Sequence, residues 1–110
     1  MDAQVSAGIA QWFWSNDGST GWFVRRCTKL VADVHLFSMS GNLVRNCREI
    51  QAMIWTQTDY KKLEMRTHLA GVAVLAKRIG WSHEGTRRSS FELEDGKIAD
   101  EYLYGVVKNG

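Results

Sequence analysis

Two side chains near the middle of the chain could transfer a proton. Asp33 and His35 lie within Leu30–Phe37, a stretch whose β-branched and aromatic residues predict a strand. Residues two apart on a strand share a face, so the two side chains should be neighbours. A histidine beside an aspartate could deprotonate an amine as a general base, because histidine titrates near neutral pH. The alternative is that His35 is a hydrogen-bonded structural histidine. This alternative is favoured because the sequence shows no third catalytic partner.

The segment that follows this strand could bind an anion. Ser38–Asn42 is a small polar turn with one glycine, and a helix is predicted from about Asn42 to Gln57. The first N–H groups of a helix have no partner within the helix, and the helix dipole adds partial positive charge there. An ordinary strand-to-helix connection is the plainer interpretation, because a lone small-residue turn is a weak motif. The apolar face of the helix is predicted to be Leu43, Cys47, Ile50 and Ile54.

The composition narrows the classes of protein. A chain of 110 residues with 45% hydrophobic residues predicts a single domain, residues 1–110, with one modest core. The net charge of +2 is small and evenly spread, which argues against specific nucleic-acid binding. No apolar run approaches the roughly 20 residues that span a bilayer. The N-terminus lacks the features of a signal peptide, so we expect a cytoplasmic location and no membrane.

Several other reactive or aromatic residues are expected to be structural. Cys27 and Cys47 lack metal-ligand spacing, so no metal site is predicted. His68 and His83 are expected at the surface or at strand ends. Three of the five tryptophans lie near the N-terminus. We expect them to pack in the core; any of them that is exposed would mark a contact surface. These three are Trp12, Trp14 and Trp22.

The pattern predicts the order β-β-β-α-β-α-β-β. The stretch from Gln4 to Trp14 fits either a helical face or, from Ile9, a strand, and we take the strand. Because a helix connects them, Leu30–Phe37 and Lys62–Thr67 should be parallel neighbours. This order predicts a mixed α/β (α+β) domain with helices packed on a central sheet. The other predicted elements are a strand at Trp22–Arg26, a helix from Leu69 to Ile79 that ends at Gly80, an extended segment from Trp81, and a hairpin at Asp95-Gly96 followed by a strand at Ile98–Val107.

The run Val74–Arg88 resembles the helix-to-strand passage of the GNAT acetyltransferase superfamily. There an amphipathic helix ends in Leu-Gly-Phe and is followed by Glu-Gly and an arginine; here Ile79-Gly80-Trp81, Glu84-Gly85 and Arg87-Arg88 correspond. The similarity covers roughly Leu30 to Val107 and is closest to the branch of ribosomal-protein N-terminal acetyltransferases. It implies a mostly antiparallel sheet, and a chain that begins at the family's second strand and lacks its first strand and first two helices. The similarity continues through Asp95-Gly96-Lys97, Asp100 and Leu103-Tyr104.

The resemblance also implies a site for acetyl-CoA. It places the pantetheine arm along Leu36, Phe37 and Ser38, and the diphosphate on Ser40, Gly41, Asn42 and Leu43. Replacement of Gly41 by valine is then expected to weaken binding while leaving the fold nearly intact.

The chain also departs from the family's pattern at the positions that matter for chemistry. Of the family's cofactor loop only Gly41 is kept, because Ser38 and Leu43 fill the first and last places. The family's CoA-contacting asparagine falls on Leu69, and its frequent tyrosine general acid falls on Ala76. The proton acceptor would then be His35 with Asp33, or water.

Two functions follow from these observations. The first is an N-acetyltransferase that moves an acetyl group from acetyl-CoA to an amine, on a protein or peptide because the acceptor side should be open. The second is a catalytically inactive GNAT-like binding or structural protein, which the altered loop, Leu69 and Ala76 support. Such a reduced fold would suit a phage or mobile-element protein that acts on a host target. A homodimer, in which a second subunit supplies the missing elements, is left open.

Overall fold

The computed structural model of the chain describes residues 10–109, which form six strands and two helices in the predicted order. The predicted Gln4–Ile9 part of the first element lies outside the described residues. The strands are β1 (Ala10–Trp14), β2 (Thr20–Arg26), β3 (Val31–Met39), β4 (Lys62–Thr67), β5 (Ser82–Glu92) and β6 (Ile98–Val107). The helices are α1 (Leu43–Gln57) and α2 (Ala70–Arg78).

The six strands form one mixed sheet in the order β1-β2-β3-β4-β6-β5. All neighbours are antiparallel except β3 and β4, which are parallel because α1 carries the chain from one to the other. The predicted parallel pairing and the mostly antiparallel sheet are therefore confirmed.

One core lies on one face of the sheet, beneath both helices. The predicted face of α1 is confirmed: Cys47, Ile50 and Ile54 are fully buried, and Leu43 is partly buried against the core. Along β3, Ala32 and Val34 alternate into this core, and the intervening residues face the other way. The other side chains of the core are Phe13, Trp22, Val24, Tyr60, Leu63, Met65, Leu75, Ala76, Trp81 and Tyr104.

The expectation that the N-terminal tryptophans pack in the core is wrong for two of the three. Trp22 is 1% exposed, whereas Trp12 and Trp14 are each 42% exposed. The alternation of β1 explains the difference, because Phe13 takes the inward position between them. Trp12 and Trp14 therefore lie on the face of the sheet that the two described helices leave uncovered.

Local signals end the elements largely where they were predicted. Asn42 is the N-cap of α1, and its side chain accepts a hydrogen bond from the Arg45 N–H at 3.1 Å. Gly80 and Gly96 adopt positive φ values of 91° and 83°, at the end of α2 and in the β5–β6 hairpin. β3 continues to Met39, two residues beyond the prediction, so Ser38 belongs to the strand.

Candidate functional site

A cleft opens where β3 and β4 diverge. The two strands pair only from Val31 with Lys62 to Asp33 with Glu64. Beyond that point β3 stays paired with β2 and β4 with β6, so the edges that they turn toward each other are free. The cleft has a volume of about 200 Å³. Its lining residues are Val34, His35, Leu36, Met65, Arg66, Thr67, His68, Leu69 and Val72.

A β-bulge helps to bend β3 away from β4. Leu36 pairs with Trp22 and Ser38 pairs with Gly21, which leaves Phe37 as an extra residue on β3. A bulge of this kind bends the strand that carries it and increases its twist. Phe37 is 66% exposed and its ring meets that of Trp12 edge-on, with centroids 4.8 Å apart.

Beyond the cleft, β3 continues to Met39 and a short turn joins it to the first turn of α1. Within residues 10–109, the N–H groups of Gly41, Leu43 and Val44 donate to no protein acceptor, while that of Arg45 is satisfied by the Asn42 cap. Free N–H groups at the start of a helix of 15 residues can bind a phosphate group. A cleft along a strand that continues to free N–H groups is an arrangement that fits an extended molecule with an anionic end.

Behind this turn, a hydrogen-bonded carboxylate joins α1 to the β1–β2 turn. The Asp17 carboxylate accepts hydrogen bonds from the Ser19 hydroxyl at 2.6 Å, the Ser19 N–H at 2.9 Å and the Ser15 hydroxyl at 2.7 Å. These hydrogen bonds hold the pKa of Asp17 well below its usual range. Arg45 forms an ion pair with the same carboxylate at 3.2 Å and partly offsets its charge.

Gly41 packs directly against this cluster. Its φ is +74°, and a Cβ there would lie 2.5 Å from the Ser19 Oγ and 3.3 Å from an Asp17 carboxylate oxygen. The expectation that Gly41→Val leaves the fold nearly intact is therefore wrong. Both the backbone conformation and the contact with Ser19 favour glycine, whether or not a ligand is bound.

His35 lines the cleft without a carboxylate partner. It is exposed and makes no hydrogen bond to any residue from 10 to 109. Asp33 lies on the same face, as predicted, but its carboxylate pairs with Arg25 at 3.4 Å. Within residues 10–109, His35 therefore forms neither a hydrogen-bonded dyad with Asp33 nor another hydrogen bond that would give it a structural role.

The other residues assigned by the resemblance lie in three different surroundings. Leu36 lines the cleft beside His35. The hydroxyls of Ser38 and Ser40 both donate to the Ser19 carbonyl oxygen at 2.9 Å, so they hold the turn together and leave only backbone groups for a ligand. Phe37 points to the uncovered face, where it contacts tryptophan rings.

The two departures from the family's pattern that lie outside the cofactor loop, Leu69 and Ala76, carry no polar side chain. Ala76 is fully buried in the core, and Leu69, 52% exposed, caps α2 without a side-chain hydrogen bond. Burial raises the pKa of the Cys47 thiol, which disfavours it as a nucleophile. Within residues 10–109 no three His, Cys, Asp or Glu side chains gather to hold a metal ion. None of the helices described is long and apolar enough to cross a membrane.

His68 was expected only as a surface or strand-end residue; the structure confirms the strand end and adds that His68 lines the cleft. It follows β4 directly and lines the cleft on the wall formed by β4 and the start of α2, across from His35 on β3. Its ring stacks on Phe91 of β5, with centroids 4.0 Å apart and planes at 11°. The usable signal was its place at the C-terminal end of a strand parallel to β3, because such ends meet at one edge of a sheet.

The chain has the fold of the GNAT acetyltransferases. Comparison with solved structures finds matches of probability 1.00 that are acetyltransferases of this fold. Comparison with protein-family models and with curated proteins finds no match. The resemblance drawn from Val74–Arg88 is therefore confirmed for the fold.

Three of these structures show how far the likeness extends. A chimera of spermidine N-acetyltransferase SpeG from Vibrio cholerae and hSSAT has a TM-score of 0.81 at 10% identity, over 96% of this chain and 74% of that one. The ribosomal L7/L12 alpha-N-protein acetyltransferase RimL in complex with coenzyme A has a TM-score of 0.78 at 12% identity. That match covers 96% of this chain and 66% of the RimL chain. A probable GNAT-family acetyltransferase from Chromobacterium violaceum has a TM-score of 0.68 at 18% identity. That match covers 94% of this chain and 62% of the other.

The match is partial in length. The chain spans 56% of a probable acetyltransferase and 74% of the SpeG chimera. At identities of 10 to 18% these comparisons establish the fold.

Proposed function

We propose that the chain transfers an acetyl group from acetyl-CoA to an amine of a protein or peptide. The observation that carries this proposal is the cleft between β3 and β4, from which β3 continues toward the free N–H groups at the start of α1. An acyl carrier with a long neutral arm and a diphosphate has the shape and charge that such a site accepts. The CoA complex of RimL, which has the same fold, supports this assignment.

The residues present fit acetyl-CoA through their backbone. The unpaired edge of β3 at Leu36, Phe37 and Ser38 would bind the pantetheine arm, and the N–H groups from Ser40 to Leu43 would bind the diphosphate. When bound, acetyl-CoA supplies the acetyl group as an activated thioester. The protein's part is to align the amine with it, which lowers the barrier by removing the entropy cost of their encounter.

His35 is our candidate to accept the proton that the amine loses. It lines the cleft and has no competing hydrogen bond within the described residues. Asp33 shares its face and adds negative charge nearby, although Arg25 offsets part of that charge. The face that carries both residues has no helix over it in residues 10–109, which leaves room for an acceptor as large as a protein. The name of RimL describes acetylation of a ribosomal protein.

Calorimetric titration with acetyl-CoA tests the proposal. We expect saturable binding to the wild-type protein and much weaker binding to Asn42→Asp. Aspartate caps a helix as well as asparagine does, so the fold is kept while a negative charge meets the diphosphate. The control is Asn109→Asp, which adds the same charge near the end of β6, where β6 pairs with the start of β4.

A different outcome would favour the second function. If wild-type protein shows no affinity at millimolar acetyl-CoA, the enzyme proposal fails and an inactive GNAT-like binding protein is the better description. The observation in favour of that alternative is the Asp17 carboxylate, which places negative charge behind the turn that would bind phosphate.

A further inference from the structure

We propose that His68 donates the proton that the departing thiol requires, in the same cleft. This role rests on the proposed acetyl transfer and extends it. In the resemblance to GNAT enzymes the corresponding task falls on a tyrosine at position 76, but Ala76 is buried and has no proton to give. A side-chain donor in this chain would therefore have to come from another element.

The lining of the cleft leaves few candidates. Of its nine lining residues, only His35, Arg66 and His68 carry ionisable side chains. Arginine keeps its proton throughout the accessible pH range, so it can stabilise charge but cannot transfer a proton. The two histidines remain, and they belong to opposite walls, His35 to β3 and His68 to the end of β4.

The surroundings of His68 hold its ring and supply charge. Phe91 stacks on the imidazole at 4.0 Å and limits its rotation. The pocket that adjoins the cleft at His68 has a volume of about 570 Å³ and is otherwise lined by the β5–β6 hairpin. The hairpin residues of this pocket are Phe91, Glu92, Leu93, Glu94 and Asp95.

The elements around His68 differ in the charged groups that they contribute. The hairpin contributes three carboxylates, β4 contributes the Arg66 guanidinium, and β3 contributes His35 across the cleft. The residues that α2 and its cap present, Leu69 and Val72, are apolar. Of the three carboxylates, only Asp95 has an ion-pair partner within residues 10–109, namely Lys97 at 4.0 Å.

The two histidines would divide the proton transfers between them. As the new N–C bond forms and the C–S bond breaks, His35 accepts the proton lost by the amine and His68 gives its proton to the sulfur. The products are an amide, a free thiol, a protonated His35 and a neutral His68. Exchange with water then restores both rings, so no other reactant is required.

Chemical modification tests the position of His68 independently of activity. Diethyl pyrocarbonate acylates accessible imidazoles, and peptide mass spectrometry reports each of the three histidines separately. We expect CoA to protect His68 and His35 but not His83, which lies on β5 and contacts the Thr86 hydroxyl at 2.9 Å. If CoA binds by calorimetry and leaves His68 fully reactive, the inference is overturned. If CoA does not bind, the proposed function fails as well, so the two failures are distinguishable.

Kinetics test the chemical role. We expect His68→Gln to lower kcat about 10²- to 10⁴-fold with little change in KM for acetyl-CoA. The decrease of kcat at alkaline pH should disappear in this variant. In His35→Gln the decrease of kcat at acid pH should disappear instead, because the base is then missing.

A variant that removes only the stacking separates position from chemistry. Phe91→Leu keeps the imidazole, so kcat should be lowered less than in His68→Gln. The decrease of kcat at alkaline pH should remain. Added imidazole should restore activity to His68→Ala, which a purely structural role would not produce. A His68→Gln enzyme with unchanged kcat, or with the wild-type pH profile at both ends, would overturn the inference.

Discussion

Asp17 connects two parts of the chain that lie far apart in the sequence. Its carboxylate accepts hydrogen bonds from Ser15 and Ser19 in its own turn, and it pairs with Arg45, 28 residues later, in the first turn of α1. Asn46, fully buried beneath the same turn, donates to the Ser19 hydroxyl at 2.9 Å. The start of α1 is thus fixed by polar contacts made to the ionised form of one side chain.

Replacing Asp17 by asparagine should destabilise the protein in a pH-dependent way. The folded-state pKa of Asp17 lies below its unfolded value, so its ionisation stabilises the fold above that value, near pH 4, and the stabilisation is lost as the pH falls. Asp17→Asn should therefore lower the Tm at pH 7, and the deficit should shrink as the pH falls below about 4. Thermal unfolding followed by circular dichroism measures this.

The matched control for this series is Asp59→Asn. Asp59 is an exposed carboxylate after α1 that makes no ion pair within residues 10–109. Its replacement should leave the Tm nearly unchanged at pH 7. A deficit in Asp17→Asn that stays constant from pH 7 down to about 2 would show that ionisation of Asp17 does not stabilise the fold.

The turn between β3 and α1 must satisfy two demands at once. Its backbone has to pack against Ser19 of the β1–β2 turn, and its N–H groups have to stay free at the start of the helix. Gly41 makes the close contact possible, and Asn42 satisfies the N–H of Arg45 without blocking the N–H groups before it. The connection is therefore constrained by the fold as well as by any ligand.

Alanine substitutions at two glycines separate backbone strain from crowding. Gly18 and Gly41 have nearly the same φ, 73° and 74°, but a Cβ meets nothing within 4 Å at Gly18 and meets the Ser19 Oγ at 2.5 Å at Gly41. Both changes should cost the roughly 1–2 kcal/mol of a left-handed residue, and Gly41→Ala should cost more because of the contact. Urea unfolding measures the difference in free energy of unfolding. Equal losses would show that the loop relaxes away from Ser19.

The whole molecule has two unequal faces. The helices and nearly all the large buried side chains lie on one face, while the other exposes Trp12, Trp14 and Phe37 beside charged residues of β3 and β4. The cleft joins the two faces at the point where β3 and β4 diverge. In the proposed reaction, acetyl-CoA would bind along the cleft and the protein or peptide amine would approach from the uncovered face.

The two cysteines report on how tightly the helix-covered face is closed. Cys47 lies on the inner face of α1, is fully buried, and burial raises the pKa of its thiol, whereas Cys27 is exposed in the turn after β2. Partial burial and the nearby Asp33 also raise the pKa of Cys27, so accessibility is the main difference between the two thiols. A thiol reagent should therefore modify Cys27 first and Cys47 only when the core opens, because the thiolate is the reactive form. Mass spectrometry of partially labelled protein measures both rates. Equal rates in the absence of denaturant would show that the core around α1 opens readily.

Local patterns were sufficient to predict the elements and their order. The four-three-four spacing from Leu43 to Ile54 and the alternation of Lys62–Thr67 each reflect the periodicity of one element, and both elements formed as predicted. The parallel pairing of β3 and β4 followed from the helix between them. Together with the motif near Gly80, these signals were enough for the fold.

The details of the candidate site required the tertiary structure, because they depend on contacts between residues distant in sequence. The bulge at Phe37 arises from register with β2, and it bends β3 so that the cleft opens. His68 is held by Phe91, a residue of another strand, and Asp33 is held by Arg25 instead of His35. Side-chain periodicity indicates which face a residue occupies, but it does not specify its partner there. Only the packed sheet decided that the cleft holds two histidines on opposite walls.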